Sequence, residues 1–195
     1  MLTNDRLEFF TELLTDVPME DVIGLFANAA ERHLKYGEEY ISQNEFTKKL
    51  AYIQKGIIRA YTTKSNGDEA TLLLRWDDQF VGSHDSILLN KPSKFRYMAI
   101  EETTILEIDY SHVENIMAEN PKFEPLRNFV LMNMLSSSLT MLEDFVLLNP
   151  EERYLKLIAE KANIVNRVAD KHIASMLGIT PVSLSRIRKR IATGK

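Results

Sequence analysis

Residues 170–191, DKHIASMLGITPVSLSRIRKRI, constrain the fold of this chain more than any other segment. Apolar residues recur at helical spacing on both sides of a glycine, which predicts a helix, a tight turn and a second helix. Gly178 tolerates the left-handed conformation that ends a helix, and Thr180 followed by Pro181 is a typical helix start. We expect Asp170 to cap the first helix.

The second helix of this pair has two unlike faces. Leu184, Ile187 and Ile191 fall on one side, and hydroxyl and cationic side chains fall on the other. A helix fits the major groove of B-form DNA, where arginine pairs with guanine edges and hydroxyls or lysines contact phosphates. A short amphipathic helix with a solvated basic face would show the same periodicity. The predicted DNA-binding residues are Thr180, Val182, Ser183, Ser185, Arg186, Lys189 and Arg190.

Charge is distributed unevenly along the chain. Residues 151–195 carry ten Lys/Arg against four Asp/Glu, whereas the first 150 residues carry 14 against 24. A basic C-terminal part beside an acidic remainder is typical of a module that binds a polyanion, although a solvated charged surface gives the same count.

The rest of the chain divides by periodicity. Residues 2–30 show helical spacing interrupted near Pro18, which predicts two short helices. From about Leu34 to Ile108 short β-branched segments alternate with turn residues, and the clearest hairpin joins residues 56–63 to residues 69–76 through Ser-Asn-Gly-Asp. Further strands are predicted near 95–100 and 103–108, followed by a short helix over 110–118.

A long helix is predicted after Pro121, ending near Leu148. It carries more apolar surface than a helix can bury on one side, so we expect part of it to pack against a second copy of the chain; packing within one chain is the alternative. Asn149-Pro150 then breaks the helix, and we place a domain hinge there.

Composition and missing motifs exclude several functions. Cysteine is absent, so disulfides and cysteine-based catalysis or metal binding are excluded. The four histidines lack metal-ligand spacing, and no phosphate-binding, nucleophile-elbow or dinucleotide-binding motif occurs. We therefore expect no metal, no cofactor and no enzyme activity. The N-terminus lacks signal-peptide features and no run of about 18 apolar residues occurs, which predicts a cytoplasmic protein without a membrane partner.

The segment LGITPVSLSRIRKRI resembles the helix-turn-helix of Crp/Fnr transcription regulators, particularly a branch found in Bacteroidetes. Pro150-Glu-Glu-Arg-Tyr154-Leu resembles the opening of their DNA-binding domain, and Gly56-Ile-Ile-Arg59 with Phe80-Val-Gly82 resembles landmarks of their β-roll. The resemblance covers nearly the whole chain.

The resemblance implies an α+β fold. Its parts are an N-terminal antiparallel β-roll of jelly-roll type, similar to a cyclic-nucleotide-binding domain and flanked by helices, then a long dimerisation helix and a C-terminal all-α helix-turn-helix. The corresponding domains are residues 1–120, 121–149 and 150–195. A homodimer joined by the helix at 121–148 would read a near-palindromic site in double-stranded DNA.

Two departures from the family pattern concern ligand and DNA specificity. Cyclic-nucleotide-binding members hold the ribose with Gly-Glu and the phosphate with Arg-Ser/Thr, whereas this chain has Gly82-Ser83-His84 and Ser93-Lys94. The sequence therefore argues against a cyclic nucleotide and leaves open another small-molecule effector. Pro181 and Val182 replace an Arg and a Glu of well-known members, so Arg186 is the expected base-contacting residue. The expected effector-pocket residues are Gly82, Ser83, His84, Ser93, Lys94 and Arg96.

Two functions remain open at the level of sequence. The first is a dimeric, DNA-binding transcription regulator, with or without an effector. The second is a degenerate β-roll that serves as a sensor or interaction module and whose basic tail binds DNA weakly and without specificity. Survival of DNA binding in competitor DNA at physiological salt distinguishes the first from the second.

Overall fold

The computed structural model describes residues 28–193, in which two antiparallel sheets precede a set of helices. The sheet orders are β1-β8-β3-β6 and β2-β7-β4-β5, so the predicted antiparallel β-roll is confirmed. The predicted helices within residues 2–30 fall almost wholly outside the described residues, and Ala30 begins a strand. The strands are β1 (Ala30–Leu34), β2 (Glu39–Ile41), β3 (Lys49–Lys55), β4 (Ile57–Thr63), β5 (Glu69–Trp76), β6 (Phe80–Gly82), β7 (Arg96–Ala99) and β8 (Thr103–Asp109).

The predicted hairpin is the β4–β5 pair. Its register runs from Ile57 opposite Trp76 to Thr63 opposite Glu69. The turn is closed locally, because the Asp68 N–H donates to Asn66 Oδ1 at 3.1 Å. Tight-turn residues and β-branched flanks are therefore sufficient to specify this hairpin.

The core of the roll lies between the two sheets. Its side chains come from strands of both sheets, as alternation along a half-buried strand requires. Ile41, Ile53, Ile58 and Ile105 are completely buried there. All four are β-branched, and their stiff side chains pack well on a pleated surface.

Seven α-helices are described in residues 28–193. The roll contains α1 (His84–Leu89), and α2 (Tyr110–Glu119) leaves it toward a 3-10 turn at Pro121–Phe123. The remaining helices are α3 (Glu124–Leu147), α4 (Pro150–Glu160), α5 (Ile164–Arg167), α6 (Asp170–Met176) and α7 (Pro181–Thr193). The sequence predicted α2, the long helix and the last pair, but not α1.

The break between α3 and α4 has a clear chemical cause. Asn149 Oδ1 accepts hydrogen bonds from the Glu151 and Glu152 N–H groups at 2.9 and 3.1 Å, while Glu152 Oε2 accepts from the Asn149 N–H at 2.7 Å. This reciprocal cap, with Pro150 in the first turn, starts a new helix where the old one stops.

Helix α3 has one side on the roll and one side in solvent. Phe129, Leu131 and Met134 pack against the cluster that contains Val113 and Phe123. Residues 121–147 are also long and apolar enough to span a membrane by length and composition, with a mean hydropathy of 1.2 over a stretch of 18 residues. Their exposed apolar residues follow a regular spacing along the helix.

Candidate nucleic-acid interface and internal cavity

Helix α7 begins where Thr180 and Pro181 predict. The Ser183 N–H donates to Thr180 Oγ1 at 3.1 Å, which satisfies a backbone group that has no partner inside the helix. Leu184 and Ile187 are buried in the cluster that also holds Ile173. The predicted inner face of α7 is therefore confirmed for Leu184 and Ile187, and Ile191 packs against the same cluster at its margin.

The turn between α6 and α7 requires glycine at position 178. Gly178 has a φ of +72°, and the next residue, Ile179, donates its N–H to the Ala174 carbonyl at 2.9 Å. A Cβ at position 178 would also lie 3.0 Å from Cε1 of Phe145. The left-handed backbone and the Phe145 ring together fix the angle at which α7 leaves α6.

The outer face of α7 is open. Val182 is 61% exposed, and Thr180, Ser185, Arg186 and Lys189 are also exposed, while Ser183 is half-buried. Within residues 28–193, Arg186 and Lys189 have no carboxylate at ion-pair distance. Two cations are therefore free to meet an anion.

The other two cations of α7 are engaged within the chain. Arg190 Nε donates to Glu151 Oε2 at 2.7 Å, so this predicted DNA-binding residue is held against α4. Arg188 donates to Asp170 Oδ1 at 2.7 Å and to the Tyr154 hydroxyl at 3.1 Å. The prediction that Asp170 caps α6 is wrong: Ala169 occupies the cap position without a side-chain bond, and Asp170 binds Arg188 instead.

Helix α6 packs on strand β5 of the roll. The Thr71 N–H donates to Ser175 Oγ at 2.9 Å, and that hydroxyl donates to the Glu69 carbonyl at 2.9 Å. Ile57 and Leu74 of the roll share an apolar cluster with Ile173 and its neighbours. His172 is buried at this contact, and desolvation, with Arg59 nearby, lowers its pKa to about 4.

A cluster of ions reinforces this contact. Arg167 donates to Asp77 at 2.6 and 3.0 Å and also to Glu101, while Lys161 donates to Asp77 at 2.9 Å. The hydrogen bonds from Arg167 hold the pKa of Asp77 far below its usual value. Two features therefore hold the C-terminal helices on the roll: buried apolar side chains, and the Asp77 carboxylate that Arg167 and Lys161 share.

Arg153 joins three elements near the hinge. Its guanidinium donates to the Leu148 carbonyl at 2.6 Å and to the Leu177 carbonyl at 3.0 Å. The same group lies 4.5 Å from the centre of the Phe145 ring. The end of α3, the start of α4 and the turn before α7 are therefore linked through one side chain.

A cavity of about 1180 Å³ lies between the roll, α3 and α4. Its walls are largely apolar, with Leu72, Val81, Phe95 and Phe129 among them. Polar and charged groups enter from β5, α1, α3 and α4 and from the turn before β6. They include Arg75, His84, Asn133, Ser136, Ser137, Thr140, Arg153 and Lys156, together with the carboxylates Asp78, Asp85, Asp144 and Glu160. A concave apolar space with a few convergent polar groups is the usual form of a small-molecule site.

Comparisons with known proteins agree with this architecture. Residues 31–120 match the family described as the cyclic nucleotide-binding domain. Electron transport regulator A of Shewanella oneidensis is 23% identical in an alignment of 174 residues that covers 82% of this chain and 68% of that protein. FixK2 from Bradyrhizobium japonicum superposes with a TM-score of 0.72 at 16% identity, with 85% of each chain covered.

Another similar solved structure is described as a member of the Crp/Fnr family. It is a transcriptional regulator of the Crp/Fnr family from Eubacterium rectale, with a TM-score of 0.69 and 19% identity over 93% of this chain and 87% of that chain. The chain has a Crp/Fnr-type fold. Its β-roll has the architecture of a cyclic nucleotide-binding domain.

The six expected effector-pocket residues separate into three groups. Gly82 and His84 line the cavity, and desolvation lowers the pKa of His84 to about 4. Ser83 and Ser93 are completely buried and bonded within the roll: Ser83 Oγ accepts from the Ser86 N–H, and Ser93 Oγ donates to the Phe95 carbonyl. Neither serine lines the cavity.

The two expected cations lie away from the cavity. The side chain of Lys94 is 72% exposed, with Nζ 3.8 Å from Asp85, and Arg96 Nε lies 2.9 Å from Glu39. A cyclic phosphate would need a cation from this segment in the cavity, and neither side chain supplies one. The residues present do not fit a cyclic nucleotide held in the family's manner.

Sequence reasoning missed Arg75. The residue lies in the apolar run Leu72-Leu-Leu-Arg-Trp76, and a single cation inside such a strand was the available signal. Its guanidinium donates to Ser137 Oγ on α3 and lines the cavity, and burial lowers its pKa. Strand β5 thus contributes a cation to the cavity lining.

Proposed function

We propose that this chain is a DNA-binding transcription regulator of Crp/Fnr type that binds a near-palindromic site as a homodimer. The observation that carries the proposal is the outer face of α7, where Arg186 and Lys189 are exposed and free of carboxylates among the described residues. In this proposal α6, the Gly178 turn and α7 form a helix-turn-helix whose second helix enters the major groove.

The proposed contacts follow from the geometry of α7. Thr180 and Ser183 lie at the N-terminus of the helix, where hydroxyls and free N–H groups contact phosphates. Arg186 lies one turn further along the exposed face and pairs with a guanine edge. Val182 contacts bases by its apolar surface, and Ser185 and Lys189 contact the DNA backbone. Arg190 joins them by exchanging its Glu151 partner for a phosphate.

The spacing of exposed apolar residues on α3 supports a homodimer. Met132, Leu135, Leu139, Leu142 and Val146 are between 45% and 74% exposed, and they recur at alternating steps of three and four residues. That is the spacing of a two-stranded coiled coil, in which such residues pack against the same residues of a second helix. A two-fold axis along α3 would place two copies of α7 on successive major grooves.

The experiment selects bound fragments from a random DNA pool at physiological salt, with wild type, Arg186→Ala and Arg127→Ala. Arg127 is an exposed cation on α3, so its removal changes the net charge equally without altering α7. We expect a two-fold symmetric consensus for wild type and Arg127→Ala. For Arg186→Ala we expect about ten- to a hundredfold weaker binding and relaxed preference at one position. Equal selection by all three proteins would refute the assignment of Arg186.

A second function has one observation in its favour. Arg188 and Arg190 are already paired with Asp170 and Glu151, which reduces the free positive charge of α7. In this reading the roll is a sensor or interaction module and DNA binding is weak and non-specific. The selection then gives no consensus, and the affinity falls equally for every sequence as salt rises.

We place the protein in the cytoplasm, where a regulator meets its DNA. We assign it no metal or cofactor and no catalytic residues. Its effector is not a cyclic nucleotide in this proposal, because neither Lys94 nor Arg96 lines the cavity and each lies beside a carboxylate, Asp85 and Glu39 respectively.

A further inference from the structure

Arg75 is a cation in the cavity wall without a partner anion. Its hydrogen bonds go to two neutral acceptors, Ser137 Oγ and the Leu74 carbonyl. No carboxylate among residues 28–193 lies at ion-pair distance, although Glu160 is near enough to act on its charge. A guanidinium has five N–H donors in a planar fork, so several donors remain for a ligand.

The other cations that line the cavity are already engaged. Arg153 donates to two backbone carbonyls and stacks on Phe145, and Lys156 donates to both oxygens of Asp144 at 2.8 and 2.7 Å. His84 also lines the cavity, but desolvation favours its neutral form. Arg75 is therefore the positive charge most available to a bound anion.

The surroundings of Arg75 indicate the rest of the ligand. Leu72, Val81, Phe95 and Phe129 give the cavity apolar walls, while the Asn133 amide and the Thr140 hydroxyl supply further hydrogen-bonding groups. We propose that the cavity binds a small organic anion with an apolar body, whose anionic group pairs with the Arg75 guanidinium. A carboxylate suits the planar fork, because two parallel N–H···O bonds form.

The same contact links the ligand to α3. Arg75 donates to Ser137. Two residues before and after Ser137 along α3 are Leu135 and Leu139, which are exposed and which we propose to pack against the second copy of the chain. An anion that draws the guanidinium into the cavity weakens the bond to Ser137 and changes how α3 rests on the roll. This regulatory consequence rests on the proposed function, whereas binding of the anion does not.

The test is a titration of the full chain, without DNA, by isothermal calorimetry. The probes are decanoate and naphthylacetate, and decanol and naphthylethanol serve as uncharged counterparts. We expect at least one anion to bind wild type in a one-to-one ratio and tenfold or more tightly than its alcohol. Arg75→Gln should weaken that anion about ten- to a hundredfold and leave the alcohol unchanged.

Lys94→Gln is the matched control, since it removes a cation from the same roll at a site outside the cavity. It should bind the anion as wild type does. The proposal is overturned if neither anion is preferred to its alcohol, or if Arg75→Gln and Lys94→Gln behave alike. Failure of the DNA selection with success here would reject the regulator and keep the ligand site.

A second variant keeps the test decisive if Arg75→Gln does not fold. Ser137→Ala removes the internal acceptor that competes for Arg75, so the preferred anion should bind severalfold more tightly. Unchanged or weaker binding would contradict the proposal. Thermal unfolding of each variant before titration confirms that the protein measured is folded.

Discussion

The outer face of α7 and the wall of the cavity each present an arginine with no carboxylate at ion-pair distance in the described part of the chain, residues 28–193, but in opposite surroundings. Arg186 extends into solvent on a helix, whereas Arg75 projects from a strand into a largely apolar space. A cation in water suits a polyanion that approaches from outside, and a cation in an apolar cavity suits one small anion. An arginine alone therefore does not define an anion site. The dielectric environment of the guanidinium determines which kind of anion it can bind.

The two sites should differ most in how strongly their binding affinities depend on salt concentration. Between 50 and 200 mM salt, DNA affinity should fall by roughly a thousandfold or more if six to ten phosphates are contacted, because counterions compete with the protein. Decanoate affinity should change by less than about threefold, since a partly buried pair is screened weakly. Fluorescence anisotropy for DNA and calorimetry for decanoate measure both. Parallel salt dependence would show that the two sites are not different in kind.

Substitutions on the buried and the exposed face of α7 should affect the stability of the protein differently. Leu184→Ala should lower the free energy of unfolding by about 2–5 kcal/mol, because Leu184 is completely buried and a cavity would remain. Val182→Ala should change it by less than about 0.5 kcal/mol, since Val182 is 61% exposed, while weakening DNA binding. Urea denaturation measures the stabilities. A large loss for Val182→Ala would mean that the outer face is covered in the folded protein.

Acid should destabilise the roll and its contact with α6. His84 and His172 have pKa values lowered from 6.5 to about 4, so the unfolded chain binds more protons between these values. The free energy of unfolding should therefore fall as the pH falls from about 6.5 to 4, by at most about 1.4 kcal/mol per pH unit for each histidine.

Denaturation at several pH values, with histidine variants, checks this. His84→Gln and His172→Gln should each flatten the slope, whereas His33→Gln should leave it unchanged because the His33 side chain is 74% exposed. Asp77 adds to the slope only at the acid end of this window and below it, because its loss of stability begins when the unfolded carboxyl, with a pKa of about 3.8, takes up a proton. A slope that survives both substitutions would assign the acid sensitivity elsewhere.

What could be predicted from sequence depended on how local the determining contacts are. Gly178, Thr180 and the apolar spacing around them act within a few residues, and they predicted the turn and both faces of α7. The β4–β5 hairpin was predictable for the same reason. The partner of Asp170 was not, because Arg188 lies on another helix, and the nearby backbone offered a plausible cap.

The cavity could not be predicted from sequence, because it depends on contacts between residues that are far apart along the chain. Arg75 and Ser137 are 62 residues apart, and Arg167 and Asp77 are 90 apart. No periodicity relates such positions, so only the packing of α3 and α5 against the roll brings them together. Family resemblance directed attention to Lys94 and Arg96, and the pairing of Arg96 with Glu39 follows from a strand register that the sequence does not contain.

The proposed function depends most on base recognition by α7. The direct measurement is the affinity of wild type, Arg186→Ala and Lys189→Ala for the selected site and for a set of single base-pair substitutions in it. The account predicts that Arg186→Ala abolishes discrimination at one base pair in each half-site, while Lys189→Ala weakens every sequence equally. Full discrimination retained by Arg186→Ala, or equal uniform losses in both variants, would contradict it.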